Sequence, residues 1–439
     1  MASGYTLPVV VDDHRTRHPA FAAGRRPRSV VVLAVALLVA AFDPSTEGRL
    51  QASPEVRTVT VVETRRDHNL RVLATAWEWV NSHYYDPAFN GRDWAALRSI
   101  HRSAVESATD EDELYAAIKR MVADLGDHHS QIFSPREVRE QGHVQRTLLG
   151  FVSRPVPEAA DTWAIVGVMP GSPAASAGVR PGWTLASCDG LPPAQVLGSG
   201  KPLETGREVV CQFSDEEEQV HTLAIAPGEV ASRIIRESRM LQGGRLYLRF
   251  DEFDSESAIW VREQLHAHAT DAGLVLDLRF NPGGEISVLE EIAGEFFVEP
   301  TDLGSLVPRD GAAERIVSRR ADDAAVVKGD VAVLVSNESM SCAEILASAL
   351  QHYRRGVVLG TRTAGMVLGT VGIPLPGGGE LQLSVWDYRT PDDRRLETVG
   401  VHPDITLGDF RRDPRTGLAA GIRAAVAVLD DGRDAGFVK

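Results

Sequence analysis

The sequence predicts an α/β protein, with an α/β domain in the C-terminal half, a smaller β-rich unit before it and a helical region nearer the N-terminus. Three observations carry this. From 231 to about 410, short apolar runs that suit buried strands alternate with helical stretches, the pattern of parallel strands joined by crossover helices. Between roughly 143 and 228, short alternating strands are punctuated by Gly and Pro. Residues 67–140 carry apolar side chains at three- and four-residue spacing: Leu73, Trp77, Val80 and Tyr84, then Leu114, Ile118 and Met121.

Particular elements follow from the same pattern. Leu274 to Phe280 reads as a strand and Ser287 to Phe297 as the helix after it. Val331 to Val335 is a second strand, followed by a helix from about Ser341 to His352, and Val357 to Gly360 begins a third strand. The run Gly377-Gly378-Gly379, between Ile-Pro-Leu and Glu-Leu-Gln-Leu-Ser-Val, predicts a hairpin turn. Leu418, Ile422, Ala425 and Leu429 place a last helix over 416–429.

The N-terminus is of another kind. Val30 to Phe42 is an unbroken apolar run preceded by Arg25, Arg26 and Arg28. Thirteen residues fall short of the ~20 that span a bilayer core. They suit the apolar part of a secretory signal peptide, with Ala40 and Ala41 near a cleavage point, and an uncleaved anchor is the alternative. The expected division is therefore 1–42 signal peptide or anchor, 43–66 linker, 67–142 helical region, 143–228 β-rich unit and 229–439 α/β domain with a C-terminal helix.

Composition narrows the function. With 46 Lys and Arg against 61 Asp and Glu, the formal charge is −15, and aromatics make up 6%. Such a chain is a poor phosphate-backbone binder, so no nucleic-acid partner is expected. Three cysteines exclude a zinc site of four thiolates and allow one disulfide at most, Cys188 with Cys211 on sequence proximity. HExxH, CxxC, the Walker GxxxxGK[ST] and GxGxxG are all missing, which disfavours metal hydrolysis and nucleotide chemistry. Nucleophilic or acid–base chemistry by side chains remains, with no cofactor implied.

Two stretches carry that chemistry. Leu276-Asp-Leu-Arg-Phe-Asn-Pro-Gly-Gly284 is joined, about sixty residues on, by Ser339-Met-Ser-Cys-Ala-Glu-Ile345. Ser341 is placed where a loop enters a helix, at the positive end of its dipole, which favours developing negative charge. Ser341-x-x-Glu344 is also a capping box, a role that needs no catalysis. Gly283 and Gly284 lack Cβ atoms and let the backbone come close to a reacting group. Asn-Pro-Gly-Gly is equally a strand-to-helix turn, and the two roles are compatible.

These stretches, with Leu125-Gly-Asp-His-His-Ser130, Gly360-Thr-Arg-Thr-Ala-Gly365 and Gly400-Val-His-Pro-Asp-Ile405, resemble in order the C-terminal processing peptidases (tail-specific proteases) and their relative, the tricorn core protease. The resemblance covers about residues 68–410. It implies an α/β catalytic domain of processing-peptidase (crotonase/ClpP-like βαβ) type, with an inserted PDZ domain. Pro170-Gly-Ser-Pro-Ala-Ala-Ser-Ala-Gly-Val-Arg-Pro-Gly182 and Asp189-Gly190 resemble the second half of such a domain, although Trp183 replaces its usual Asp. Leu149, Gly150 and Phe151 would form the loop that holds a peptide's C-terminal carboxylate, while the ligand strand adds to the sheet edge.

The resemblance makes Ser341 the nucleophile, and a Gly283 or Gly284 N–H with that of Cys342 the oxyanion hole. It also exposes a departure. The lysine that serves as base in the processing peptidases corresponds here to Met366, which has no titratable nitrogen. Lys328 and Lys439 are the only lysines after Lys201, so no substitute is close in sequence. The tricorn variant uses Ser, His and Glu instead, and by that resemblance His129 is the base and Glu397 its orienting carboxylate. Histidines in such stretches also serve structurally, and exposed glutamate is common. His128 with His129 makes a poor metal pair, since neighbours on extended chain face opposite ways. Asp277 and Arg279 are expected to pair structurally.

Two functions follow. One is an exported serine endopeptidase acting on peptides or proteins gripped by their C-terminal tails. The other is an inactive family member binding peptide tails or an apolar ligand, as the related interphotoreceptor retinoid-binding proteins bind lipids. The N-terminal apolar segment offers a route to membrane association, and the oligomeric state is left open.

Overall fold

The computed structural model describes residues 63–141, 147–157, 159–198, 203–204, 206–230, 234–268, 270–319, 327–410 and 414–435, with short strand pieces at Val32–Leu33 and Val59–Thr60. The expected signal peptide or anchor lies outside the described residues apart from Val32–Leu33, and most of the 43–66 linker does too. Among the described residues, no helix is long and apolar enough to cross a membrane.

The helical region begins slightly before its expected start. Helix Arg65–His83 is capped by Thr64, whose side chain accepts from the Asp67 N–H. Helices Trp94–Ser107 and Glu111–Ala123 follow, each with an aspartate cap, Asp93 and Asp110. Leu73, Val80, Tyr84, Leu114, Ile118 and Met121 are buried as their spacing requires. They share one core with Ile132, Ile373, Leu381 and Leu383, so this region packs on the hairpin Gly369–Pro374/Glu380–Arg389.

A five-stranded antiparallel sheet follows, ordered along the chain: Phe151–Val156, Ala159–Val168, Thr184–Cys188, Val209–Ser214 and Val220–Ile225. The chain enters and leaves this unit side by side, since Thr147–Leu148 pairs antiparallel with Gly228–Glu229. That pairing makes the unit an excursion from the main body.

The main body holds a six-stranded sheet. Its strands are Arg236–Met240, Leu246–Phe250, Leu274–Asp277, Val331–Val335, Gly356–Gly360 and Ile405–Thr406, in that spatial order, and all but the first run parallel. Its apolar runs are continuous because both faces are covered. Leu274, Leu276, Val331, Val333 and Val335 turn to one core with helices Ser255–Ala267, Ile286–Gly294 and Cys342–His352. Val275, Ala332 and Leu334 turn to the other, under Ala425 and Leu429 of helix Pro414–Ala435.

Two boundaries differ from expectation. The strand expected over 274–280 stops at Asp277, where that side chain turns back to accept from the Arg279 N–H (3.1 Å). The helix expected over 287–297 is Ile286–Gly294, and Phe296 and Phe297 enter the core beyond its end.

Candidate active site

The site lies at the carboxyl ends of the parallel strands, the usual place for function in such sheets. Ser341 follows Val331–Val335, Gly283 and Gly284 follow Leu274–Asp277, and Thr363 to Met366 follow Gly356–Gly360.

Ser341 stands immediately before the helix Cys342–His352 with φ 53° and ψ −121°. For a residue with a Cβ that region is sparsely populated, at a cost of order 1–3 kcal/mol. Its surroundings hold it there. The Ser341 N–H lies 2.8 Å from the Met366 carbonyl oxygen and 3.2 Å from Glu344 Oε2. The helix behind is buried at every position from Cys342 to Leu350. The Glu344 N–H donates to the Ser341 carbonyl oxygen (2.8 Å), while Ser341 Oγ is buried without a hydrogen-bond partner. The carboxylate half of the capping box is thus in use, and the hydroxyl is spare.

Glu344 lies beneath this turn, fully buried. Oε1 accepts from Thr363 Oγ1 (2.5 Å) and the Gly365 N–H (2.8 Å), and Oε2 from the Met366 N–H (2.8 Å) besides that of Ser341. These donors match the acceptor capacity of a carboxylate. Burial pushes its carboxyl up to about 7, although the donors pull the other way. The Thr363–Met366 stretch is therefore bound by its backbone to the helix that Ser341 precedes.

His129 comes to the site by strand pairing. It closely precedes Gln131–Phe133, which pairs with Glu380–Arg389. Asp127 Oδ1 accepts from the His129 N–H (2.7 Å), and Asp127 Oδ2 from the hydroxyls of Ser130 (2.6 Å) and Ser384 (2.7 Å). Gln382 Nε2 donates to the His129 carbonyl oxygen (2.9 Å). The ring is buried, its Nε2 has no good hydrogen bond, and it lies 3.5 Å from Glu397 Oε2. Burial pulls the imidazole's pKa down, but Glu397 first, then Asp127 and Glu344, outweigh it, and the net direction is up. Glu397 Oε2 is itself fixed by the Val367 N–H (2.8 Å), next in chain to Met366. His129 and Glu397 are thus brought together beside the stretch that holds Ser341.

The glycines divide their tasks. A Cβ on Gly283 would lie 2.5 Å from Ser341 Cβ and 3.1 Å from the Cys342 nitrogen, so only glycine allows this approach. The Gly283 N–H, however, donates to Asn281 Oδ1 (2.8 Å). As an oxyanion donor in this state Gly283 is therefore occupied, because the Asn281 side chain turns back on its own loop. The Gly284 carbonyl oxygen receives the Cys342 thiol (3.3 Å), and burial pushes that thiol up to about 12, which disfavours it as a nucleophile.

Asp277 and Arg279 form the expected buried pair, with Nη2 to Oδ2 at 2.6 Å, and Tyr247 Oη adds a bond to Asp277 (2.9 Å). In the β-rich unit, Leu149 and Gly150 precede the strand that begins at Phe151. Gly150 has φ 90°, and Ser172 Oγ donates to its carbonyl oxygen (3.0 Å). Trp183 stacks on His221, ring centroids 4.5 Å apart. Sequence reasoning missed the parts played by Asp127, Ser384 and Gln382. Asp127 stood inside a quoted stretch, but nothing local signalled the other two.

Residues 245–407 match the family model described as Peptidase family S41, and residues 68–123 that of the Tricorn protease C1 domain. A carboxyl-terminal-processing protease of Synechocystis sp. is 28% identical over 356 residues, covering 76% of this chain and 80% of that protein. The chloroplastic carboxyl-terminal-processing peptidase 2 of Arabidopsis thaliana is 28% identical over 367 residues, covering 78% of this chain and 69% of that one. Among solved structures, the photosystem II D1 C-terminal processing protease aligns with TM-score 0.53 at 23% identity, over 80% of this chain and 97% of that one. The tricorn protease aligns with TM-score 0.53 at 17% identity, over 86% of this chain and 38% of that one. These structural likenesses speak for a shared mixed α/β fold. The matched family model and the named relatives place the chain among serine-type peptidases. Residues 245–407 form a peptidase family S41 domain, and the relatives that the chain resembles over most of its length are carboxyl-terminal-processing proteases.

Proposed function

We propose that the chain is an exported serine endopeptidase whose base is His129, oriented by Glu397, in place of the family lysine. The observation that carries this reading is the 3.5 Å pairing of His129 with Glu397 beside a stretch whose backbone holds Ser341, while Ser341 Oγ is buried without a hydrogen-bond partner. In this mechanism neutral His129 takes the Ser341 proton as Oγ attacks the scissile carbonyl carbon. It returns the proton to the leaving amine, and Glu397 stabilises the imidazolium between those steps. The N–H groups of Cys342 and Gly284 receive the oxyanion, with Gly283 supplying the close approach. Water then repeats the attack on the acyl-Ser341 ester and regenerates the hydroxyl.

The β-rich unit, 143–228, is on this reading a PDZ-type domain inserted in a crotonase/ClpP-like catalytic domain. Leu149, Gly150 and Phe151 hold the substrate's C-terminal carboxylate, and the edge strand Phe151–Val156 accepts the tail as an added strand. The Arg-flanked apolar run Val30–Phe42 supports export. An inactive ligand-binding member is disfavoured, because family and named relatives are peptidases.

The test is labelling by a fluorophosphonate probe of the wild type and of Ser341→Ala, His129→Ala and Glu397→Ala. Cleavage of peptides with free and amidated C-termini is measured alongside. Labelling lost in the first two variants and weakened in the third, with free tails preferred, is expected. Labelling that survives His129→Ala overturns the assigned base, and no labelling of folded wild type overturns the peptidase mechanism.

A further inference from the structure

Cys188 and Cys211 lie on neighbouring antiparallel strands in direct register, within the buried core of the β-rich unit. Both are fully buried, and their Sγ atoms are 2.8 Å apart as free thiols. Backbone bonding completes the geometry. Cys188 exchanges its N–H and C=O bonds with Leu191, at 2.9 Å each, rather than with Cys211 opposite. Opposed residues that do not exchange ladder bonds have Cα atoms about 4.5 Å apart with their side chains close. That spacing falls in the range a disulfide bridges, about 4.4–6.8 Å.

The flanking chain is already pinned at the same place. Asp189, with φ 50°, donates its N–H to the Val210 carbonyl oxygen (2.7 Å), and its Oδ1 accepts from the Val210 N–H (2.9 Å). The excursion between Asp189 and Val210 therefore leaves and returns at one point, beside the two sulfurs. Leu149, of the loop assigned to the ligand carboxylate, belongs to the same buried cluster as both cysteines.

We infer that Cys188 and Cys211 form a cross-strand disulfide when the chain matures in an oxidising compartment, closing the Asp189–Val210 excursion and fixing the core behind the Leu149–Phe151 loop. Two S–H bonds break and one S–S bond forms. Two electrons pass to a disulfide-class oxidant, whose own S–S bond opens to two thiols that take up the two protons. Because both sulfurs are buried in the folded unit, the bond forms while the strands are still open to solvent. Cys342 takes no part, since it is buried in the other core, against the Gly284 carbonyl oxygen. The compartment, though not the geometry, rests on the proposed export.

The experiment supplies the compartment itself. The full chain is produced in a bacterial cytosol and, behind a bacterial export leader, in the periplasm. Both products are acid-quenched, alkylated in denaturant and digested for mass spectrometry. The periplasmic protein is expected to yield a peptide pair joined through Cys188 and Cys211 with Cys342 alkylated, and the cytosolic protein three alkylated cysteines. In the linked form, cleavage of the 189–210 excursion by added protease releases no fragment until reductant is present. Three alkylated cysteines in folded periplasmic protein, or linkage through Cys342, overturns the inference. Failure of the chain's own N-terminus to direct export leaves these outcomes unchanged, so the two readings fail separately.

Discussion

His129 Nε2 stands 3.5 Å from Glu397 Oε2, and both side chains are buried beside the Met366–Val367 backbone. A buried imidazole without a carboxylate would resist protonation, and beside Glu397 it accepts a proton more readily. That is the electrostatic requirement of a general base.

The pH profile checks it. On the proposed mechanism His129 must be neutral to act, and its pKa is raised above 6.5. The acid limb of kcat/KM should therefore have its midpoint above 6.5, and Glu397→Gln should move that midpoint down while lowering the rate. A titration of peptide cleavage reads both. The linkage sign agrees: the pair's stabilisation is complete below pH 6.5 and is lost as pH rises through the raised value.

Ser341→Ala should abolish hydrolysis and probe labelling yet leave the melting temperature nearly unchanged. Ser341 Oγ makes no hydrogen bond in the folded state, so its removal breaks none. The positive φ at this position persists and is strained for alanine as for serine. Calorimetry beside the activity assay distinguishes a lost nucleophile from a lost fold.

Asp127→Asn and Ser384→Ala should lower kcat with little change in KM. Both act on the segment that carries His129, and a displacement near 1 Å at a reacting group costs up to about 100-fold. Steady-state kinetics on a short peptide separates this from a binding defect.

Asp277→Ala should cost about 3–5 kcal/mol, because it strands the buried Arg279 guanidinium without its partner. Denaturant unfolding measures this, and replacing both residues by apolar ones should recover part of the loss.

Gly150→Ala should destabilise the β-rich unit and weaken selection of free C-termini. A Cβ there would lie 2.2 Å from that of Ser172, at a backbone with φ 90°. Comparing free with amidated peptides tests the loop separately from the catalytic centre.

Sequence alone determined whatever depends on near neighbours along the chain. The apolar runs at 274–280, of which 274–277 is strand, and 331–335 read as buried strands, and the spacing of Leu114, Ile118 and Met121 reads as one face of a helix. Ser341 at a helix start and the absence of lysine at Met366 were equally legible, as was the Gly377–Gly379 hairpin. Tertiary structure decided what depends on residues distant in sequence. His129 reaches the site because Gln131–Phe133 pairs with Glu380–Arg389, and strand register carries no local mark in the sequence. The bonds that Ser384 and Gln382 make to the His129 segment have the same origin. Two details ran against reading from the sequence: Gly283 spends its N–H on Asn281, and Glu344, half of a capping box, also binds Thr363, Gly365 and Met366. In both cases a buried polar group must find partners, and only the folded chain sets which ones are within reach.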